Sequence, residues 1–187
     1  MTTDTLSART ASRSLLLHGA AFLGLAALIT LAAKVQVPFW PVPMTLHTLA
    51  VMAIAILGGP RVAVGAMTAY LAAGAAGLPV FAGSPERGIG LAYMAGPTGG
   101  YLAGYLLAAG LTGWLAAGGG TLRRIGAMLA GLGVTYAAGV LWLSAFVPAR
   151  EVLAVGVLPF VTGDLLKIGV AALLAQGWDR LRKGRFA

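Results

Sequence analysis

Two residues of opposite charge, Asp164 and Lys167, lie in an otherwise apolar segment that runs on to Trp178. At i, i+3 spacing on a helix they share one face, within reach of each other and of a molecule bound beside them. On insertion scales each charge costs about 2.5–3.5 kcal/mol at the centre of a membrane helix, so such a pair indicates a functional site. The alternative is a structural ion pair that holds two helices together, although buried pairs contribute little net stability.

Few other side chains could carry out chemistry. The chain has no cysteine, two histidines and five acidic residues, which excludes disulfides, thiolate metal sites and cysteine nucleophiles. The available Asp, Lys and His side chains form no recognisable arrangement of nucleophile and base. The stretch GPTGG at 96–100 lacks the Lys and the Ser/Thr of a phosphate-binding loop, so ATP hydrolysis is excluded. We therefore expect neither an enzyme nor a bound cofactor.

A binding pocket is the remaining interpretation of the charged pair. One ion pair cannot line a hydrophilic channel across the ~30 Å hydrocarbon core of a membrane. A compact pocket for a small organic molecule needs an acceptor, which Asp164 supplies, a donor, which Lys167 supplies, and aromatic walls.

Membrane-spanning helices are the elements expected to position this pair. Of the 187 residues, 59% are hydrophobic and only 10% are charged, whereas a soluble domain carries about 25% charged residues. Apolar segments that approach the ~20 residues of a spanning helix occur at 15–33, 44–57, 62–78, 93–117, 125–147 and 152–178. The predicted fold is an all-α integral membrane protein, a bundle of six transmembrane helices over 15–178, between a segment at 1–14 and a basic tail at 179–187.

The cations are distributed unevenly between the two sides of this bundle. The side that carries both termini has Arg9, Arg13, Arg61, Arg123, Arg124, Arg180, Arg182, Lys183 and Arg185, and the other side has Lys34, Arg87 and Arg150. Since Lys and Arg collect on cytoplasmic loops, both termini are predicted to be cytoplasmic, and the net charge of +8 needs no nucleic-acid partner. The charged pair then opens toward the outside.

Small residues recur every four positions along three of the predicted spans. The stripes are Gly65, Ala69, Ala73 and Gly77; Gly96, Gly100, Gly104, Ala108 and Thr112; and Ala127, Gly131, Thr135 and Gly139. Such stripes allow a neighbouring helix to approach closely. At GPTGG two interpretations stay open, namely backbone exposed to a ligand and tight helix packing.

Four motifs resemble, in this order and spacing, those of the BioY family, the biotin-binding S components of energy-coupling factor (ECF) transporters. They are PVPMTLHTLAV at 41–51, GLPVFAG at 77–83, GPTGGYLAGY at 96–105 and PFVTGDLLK at 159–167. The resemblance covers nearly the whole chain. It implies a six-helix bundle in the bacterial cytoplasmic membrane that captures biotin from outside. It also implies a transmembrane T component and two ATPase subunits as partners, although some members are thought to function without them.

In this resemblance Asp164 and Lys167 match the biotin-contacting acid and base of the family. The ureido ring of biotin offers two N–H donors and one carbonyl acceptor, which a carboxylate and an ammonium group can satisfy. Because the ring is neutral, the two charges would best neutralise each other.

Two charged or polar residues have both a ligand-binding and a structural interpretation. His47 stands where family members often carry Gln, and it either contacts biotin or forms a hydrogen bond that joins helices. Arg87 lies in a longer outer loop, where it either meets the biotin carboxylate or pairs in solvent with Glu86.

The remaining predicted contacts are aromatic or backbone groups. Tyr101, Tyr93 and the backbone at Gly96 are predicted walls of the biotin pocket, although buried aromatic residues often serve packing alone. Phe39 and Trp40, in the proline-rich stretch KVQVPFWPVP, are predicted to form a lid. For Trp40 an anchoring role at the membrane interface is the alternative.

Two other functions stay open on the sequence alone. One is an S component for a different vitamin on the same scaffold, and the other is a structural membrane subunit whose charged pair only joins helices. For a transporter, the small residues Ala20 and Gly24 of the first span form the predicted docking surface for the T component. We expect membrane lipid to surround the remaining surface of the helix bundle. Self-association of the chain is left open by the sequence.

Overall fold

The computed structural model of the protein describes residues 3–37 and 40–184, with side chains described over 19–37 and 40–182. Within these ranges the chain forms seven α-helices and one short β-hairpin. The helices are α1 (Thr3–Lys34), α2 (His47–Ala75), α3 (Gly90–Ala95), α4 (Gly99–Ala116), α5 (Thr121–Leu143), α6 (Val152–Gly156) and α7 (Leu158–Gly184), and the strands are β1 (Gln36–Val37) and β2 (Met44–Thr45). The helical class predicted from the sequence is confirmed.

Three helical segments of the described chain are long and apolar enough to cross a membrane. They are His47–Ala75, Thr121–Leu143 and Val152–Arg182, the last of which joins α6 and α7. Gly19–Lys34 is a shorter apolar segment at the end of α1. The apolar segments in which small residues recur every four positions are therefore helices in the structure, not strands.

The second and third predicted spans are two helical segments of α2 that meet at a sharp bend. Gly59 has φ 78° and ψ 178°, a backbone conformation that glycine adopts readily, and Pro60 follows it without an N–H to donate. The bend coincides with the predicted interruption at 58–61. The neighbouring helix α4 packs closely against this bend. A Cβ added to Gly113 of α4 would lie only 2.6 Å from the Pro60 nitrogen.

The second and third small-residue stripes face each other, so that α4 packs directly on α5. A Cβ on Gly104 would lie 2.8 Å from Thr135 Cα, and a Cβ on Gly131 would overlap the Thr112 hydroxyl. These stripes are therefore internal packing surfaces of the protein. A side chain at position 104 would collide with the α5 backbone, and a side chain at position 131 would collide with the Thr112 side chain of α4.

Two helices are broken near one end of the bundle. Pro97 holds Gly96 in an extended conformation and separates α3 from α4, as expected for a residue that precedes proline. The indole N–H of Trp142 donates to the Gly96 carbonyl at 2.9 Å, and Gly100 packs against the same indole ring. A second break at Val157 separates α6 from α7. The helix α4 thus begins at Gly99, inside the GPTGG stretch. The break at Val157 has no counterpart in the predicted spans.

The proline-rich loop is a small antiparallel hairpin rather than only an extended connection. Gln36 pairs with Thr45 and Val37 with Met44. The adjacent end of α1 is tied to the long 79–89 loop, because Lys34 Nζ donates to the carbonyls of Phe81 and Ser84 at 3.0 and 2.7 Å. The hairpin and the long loop therefore lie beside the same end of the bundle.

Candidate functional site

Asp164 and Lys167 form a buried ion pair on α7. Lys167 Nζ lies 2.8 Å from Asp164 Oδ1, and the two side chains are 10% and 5% exposed. The i, i+3 spacing places both side chains on one face of α7, within reach of each other. The pair therefore has no net charge as a unit, and each partner compensates the other inside the protein.

A residue on a neighbouring helix holds the second oxygen of the carboxylate. Tyr136 of α5 donates its hydroxyl to Asp164 Oδ2 at 2.7 Å. The carboxylate is thus fixed in rotation by two donors of different type, an ammonium on Oδ1 and a phenol on Oδ2. Each carboxylate oxygen keeps a second lone pair, and the ammonium group keeps two further N–H donors, for a bound molecule.

The ion pair lines a cavity, here named the ion-pair cavity, of about 520 Å³ including its mouth. Its walls come from the hairpin, α2, α3, α4, α5 and α7. They include Val42, Pro43, Met44, Thr45, His47, Thr48, Tyr70, Ala82, Tyr93, Thr98, Tyr101, Leu102, Tyr105, Tyr136, Phe160, Asp164 and Lys167.

All five tyrosines of the chain line the ion-pair cavity. Hydrogen bonds direct several of their hydroxyl groups away from solvent. Tyr101 donates to the Gly156 carbonyl at the break between α6 and α7, and Tyr93 donates to the Ala82 carbonyl, both at 2.7 Å. The hydroxyl groups of Tyr101 and Tyr93 are therefore already hydrogen-bonded to backbone carbonyls of the protein.

His47, at the start of α2, is a polar residue of this cavity whose side chain is only partly satisfied. Its ring stacks on Tyr105 with centroids 4.3 Å apart and meets the edge of Tyr70 at 5.0 Å. The residue is 4% exposed. Among the described residues, its Nε2 atom has no hydrogen-bond partner. Since a buried polar atom without a partner costs free energy, Nε2 is suited to receive a hydrogen bond from a ligand or to donate one to it.

A second cavity, here named the loop cavity, lies between the hairpin loop and the 79–98 segment. Its space is about 670 Å³ including the mouth. It is lined by Trp40, Pro41, Glu86, Arg87, Ala92, Tyr93, Gly96, Pro97 and Thr98. Tyr93 and Thr98 are walls of both cavities, so the two spaces adjoin each other.

Two side chains connect the loops across the loop cavity. The Arg87 guanidinium carbon lies 5.5 Å from the centre of the Trp40 ring, and Arg87 Nη1 lies 3.4 Å from the Pro41 carbonyl oxygen, to which it donates. Trp40 is nevertheless 79% exposed. The cation–π contact is therefore of the exposed type, which is worth about 0.5–1 kcal/mol.

The structure divides the predicted ligand contacts between the two cavities. Asp164, Lys167, His47, Tyr101 and Tyr93 come together in the ion-pair cavity. Arg87, Trp40 and Gly96 line the loop cavity, as Tyr93 also does.

Three other predicted residues lie elsewhere. Phe39, the second predicted lid residue, falls outside the described residues. Ala20 and Gly24 lie on α1 at exposed positions, and a Cβ added to Gly24 would have no neighbour within 4 Å. The described part of the chain therefore leaves this face of α1 uncovered.

The residue that sequence reasoning missed at the ion pair is Tyr136. Tyrosine is enriched at the ends of membrane helices, where its hydroxyl meets the interface. Tyr136 instead lies inside an apolar span, and so do Tyr70 and Tyr105. Their central positions were the available signal, although the sequence alone does not show that α2, α4 and α5 direct them to one cavity.

Known proteins resemble this chain over nearly its whole length. The sequence profile of the BioY family matches residues 3–184. Biotin transporter BioY of Thermotoga maritima is 41% identical over 161 residues, which are 85% of this chain and 94% of that protein. Biotin transporter BioY of Rhizobium etli is 34% identical over 168 residues, which are 84% of this chain and 88% of that protein.

A solved structure resembles the whole architecture. It is the S component for biotin from an ECF-type ABC transporter, and it matches with a TM-score of 0.74 and 25% identity. The match covers 98% of this chain and 95% of the other. Together with the three apolar helices, these similarities identify a multi-pass membrane protein.

Proposed function

The chain belongs to the BioY family, and on that premise we propose that it binds biotin from outside the cell and delivers it inward as an ECF S component. The observation that carries this proposal is the buried Asp164–Lys167 pair, with Nζ and Oδ1 2.8 Å apart at the wall of a cavity. A buried pair with no net charge matches a ligand whose recognised group is polar and uncharged.

The ureido ring of biotin meets this description. Asp164 accepts a ring N–H with a remaining lone pair, and Lys167 donates to the ring carbonyl. The second ring N–H is directed to His47 Nε2, which has no hydrogen-bond partner among the described residues. Tyr93 and Tyr101 form aromatic walls for the fused ring system.

The loop cavity receives the other end of biotin. Arg87 supplies a cation for the carboxylate there, beside the Gly96 backbone, while Trp40 covers the entrance. In this orientation the charged end of the ligand stays near exposed loops, where its desolvation costs little. The uncharged ring occupies the buried end.

The proposed topology has six spans, because α1, each half of the bent α2, α4, α5 and α6–α7 cross the bilayer. Both termini are then cytoplasmic, as the distribution of Lys and Arg predicts, and both cavities open outward. The location is the cytoplasmic membrane of a bacterium.

The proposed partners are a T component and two ATPase subunits, as the resemblance to the BioY family implies. The uncovered face of α1 around Ala20 and Gly24 is the proposed surface for the T component. Small residues on that face would allow a partner helix to approach closely.

The test is calorimetric titration of biotin into the purified chain in detergent, without ATP. We expect saturable binding of one biotin per chain, with no displacement by thiamin or riboflavin. Displacement of bound biotin by thiamin or riboflavin would contradict the assignment of biotin as the ligand and favour the competing vitamin. Absence of binding by all three would leave the ion pair with a structural role only.

A further inference from the structure

Lys34, the last residue of α1, lies outside both cavities but is bonded to the loop beside them. Its ammonium group donates to the backbone carbonyls of Phe81 and Ser84 at 3.0 and 2.7 Å. Hydrogen bonds from a charged donor are stronger than those between neutral groups, and these two join parts of the chain that are 47 and 50 positions apart. Lys34 therefore holds the 79–89 loop against the end of α1.

The Ser84 carbonyl belongs to the same tight turn as Arg87. The Arg87 backbone N–H donates to the Gly83 carbonyl, and the Gly88 N–H donates to the Pro85 carbonyl, both at 2.8 Å. The stem of the Arg87 side chain also packs over Gly83, since a Cβ added to Gly83 would lie 2.7 Å from Arg87 Cδ. A shift of the backbone at Ser84 is therefore carried to Arg87 through this turn.

The first half of the loop has supports that do not involve Lys34. Phe81 is fully buried, and its ring stacks on Tyr93 with centroids 4.8 Å apart. The Tyr93 hydroxyl donates to the Ala82 carbonyl at 2.7 Å. Removal of the Lys34 ammonium group should therefore leave residues 81 and 82 in place and release mainly the turn that carries Arg87.

Lys34 also joins the two walls of the loop cavity. The hairpin, which supplies Trp40 and Pro41, follows α1 directly, and its return strand is fastened to α1 by a bond of 3.1 Å from the Leu46 N–H to the Ala32 carbonyl. Arg87 lines the opposite wall and donates across to the Pro41 carbonyl. The bonds of Lys34 thus set how far apart the two walls stand.

We infer that Lys34 is a positioning residue of the biotin site, which holds Arg87 where the ligand carboxylate is bound. This inference rests on the proposed function, which assigns the carboxylate to Arg87. An arginine side chain loses rotamer freedom when it binds a ligand, and a backbone that is fixed beforehand reduces the ordering that binding still requires. Lys34 then raises the affinity for biotin without touching it.

The test is a double-mutant cycle at Lys34 and Arg87, measured by calorimetric titration of biotin. We expect Arg87→Gln to weaken binding by about tenfold, through loss of a charged donor, and Lys34→Met to weaken it by about fivefold, through loss of preorganisation. In the Arg87→Gln background, Lys34→Met should add less than about twofold, because residues that act through one contact are not additive. A further fivefold loss in that background, or no loss from Lys34→Met alone, would overturn the inference.

Controls separate positioning from net charge and from folding. Arg150→Met removes a cation that is 85% exposed and lies outside both cavities, and we expect it to change biotin affinity less than twofold. Lys34→Arg keeps a charged donor and should stay within about twofold of the unaltered chain. A loss in Arg150→Met as large as in Lys34→Met would overturn the inference. Thermal midpoints identify unfolded variants, and Lys34→Gln replaces Lys34→Met in the cycle if the latter does not fold.

Failure of the inference differs from failure of the proposed function. Biotin binding by the unaltered chain, with the same affinity in Arg87→Gln, would leave biotin as the ligand but overturn the inference, because Lys34 would then have no ligand contact to position. An unaltered chain that binds no biotin would overturn the proposed function and the inference with it.

Discussion

The ion-pair cavity and the loop cavity share two walls but differ in how their side chains are held. In the ion-pair cavity the polar groups project from long helices, are buried, and are fixed by bonds of 2.7–2.8 Å such as those from Tyr136 and Lys167 to Asp164. In the loop cavity, Arg87 and Trp40 project from loops, and their contacts include a hydrogen bond of 3.4 Å from Arg87 to the Pro41 carbonyl and an exposed cation–π contact. The difference teaches that adjoining cavities can hold their polar side chains in different ways, one by short bonds between helices and the other by weaker contacts between loops.

The largest effect is expected when the ion pair is broken. Asp164→Ala leaves Lys167 buried without compensation, at a cost of about 3–5 kcal/mol, and removes the acceptor for the ring. We expect biotin affinity measured by calorimetry to fall by more than about a hundredfold, and the free energy of unfolding to fall as well.

A double variant separates binding from stability at the same place. Asp164→Leu combined with Lys167→Met replaces the pair with apolar side chains of similar size, which is often neutral for stability. We expect the thermal midpoint to recover relative to Asp164→Ala while biotin binding stays lost. Biotin binding by the double variant at the original affinity would assign the pair a purely structural role.

An intermediate effect is expected at Tyr136. Tyr136→Phe removes one hydrogen bond to a charged group, which is worth about 1.5–3 kcal/mol, so biotin affinity should fall by about tenfold to a hundredfold. The matched control is Tyr101→Phe, which removes the same atom from a bond to the Gly156 carbonyl. A fall in affinity as large in the control as in Tyr136→Phe would contradict the role of Tyr136 in fixing the carboxylate.

The smallest effect is expected in the loop cavity. Trp40→Ala removes a contact worth about 0.5–1 kcal/mol, so biotin affinity should fall by about twofold to fivefold. Trp114→Ala, at a tryptophan that is 65% exposed and lies outside both cavities, is the control and should change nothing. A fiftyfold fall in biotin affinity for Trp40→Ala would contradict the expectation that the loop cavity contributes less to binding than the ion-pair cavity.

The ion pair and the helical class were predictable because they depend on local properties of the sequence. The i, i+3 spacing places Asp164 and Lys167 on one face of any helix, and glycine followed by proline at 59–60 interrupts a helix wherever it occurs. The four-residue stripes likewise predicted close packing. Which stripe meets which helix was not predictable, because that depends on the tertiary arrangement.

The cavity walls were less predictable because they come from separate helices. Tyr136 is 28 positions before Asp164 in sequence, and its contact requires α5 and α7 to cross at one depth. The break at Val157 also lacked a local signal at the residue itself. Pro159 in the first turn of α7 is compatible with a helix start there, but it is equally compatible with the start of a longer span.

The most direct test of the central claim, that a neutral ion pair recognises a neutral ring, compares biotin with 2-iminobiotin in the unaltered chain and in Lys167→Met. At neutral pH the ring of 2-iminobiotin is protonated and carries a positive charge. We expect the unaltered chain to prefer biotin, and Lys167→Met, which leaves Asp164 uncompensated, to shift the ratio of affinities toward 2-iminobiotin by at least tenfold. An identical ratio in the two proteins would contradict the claim.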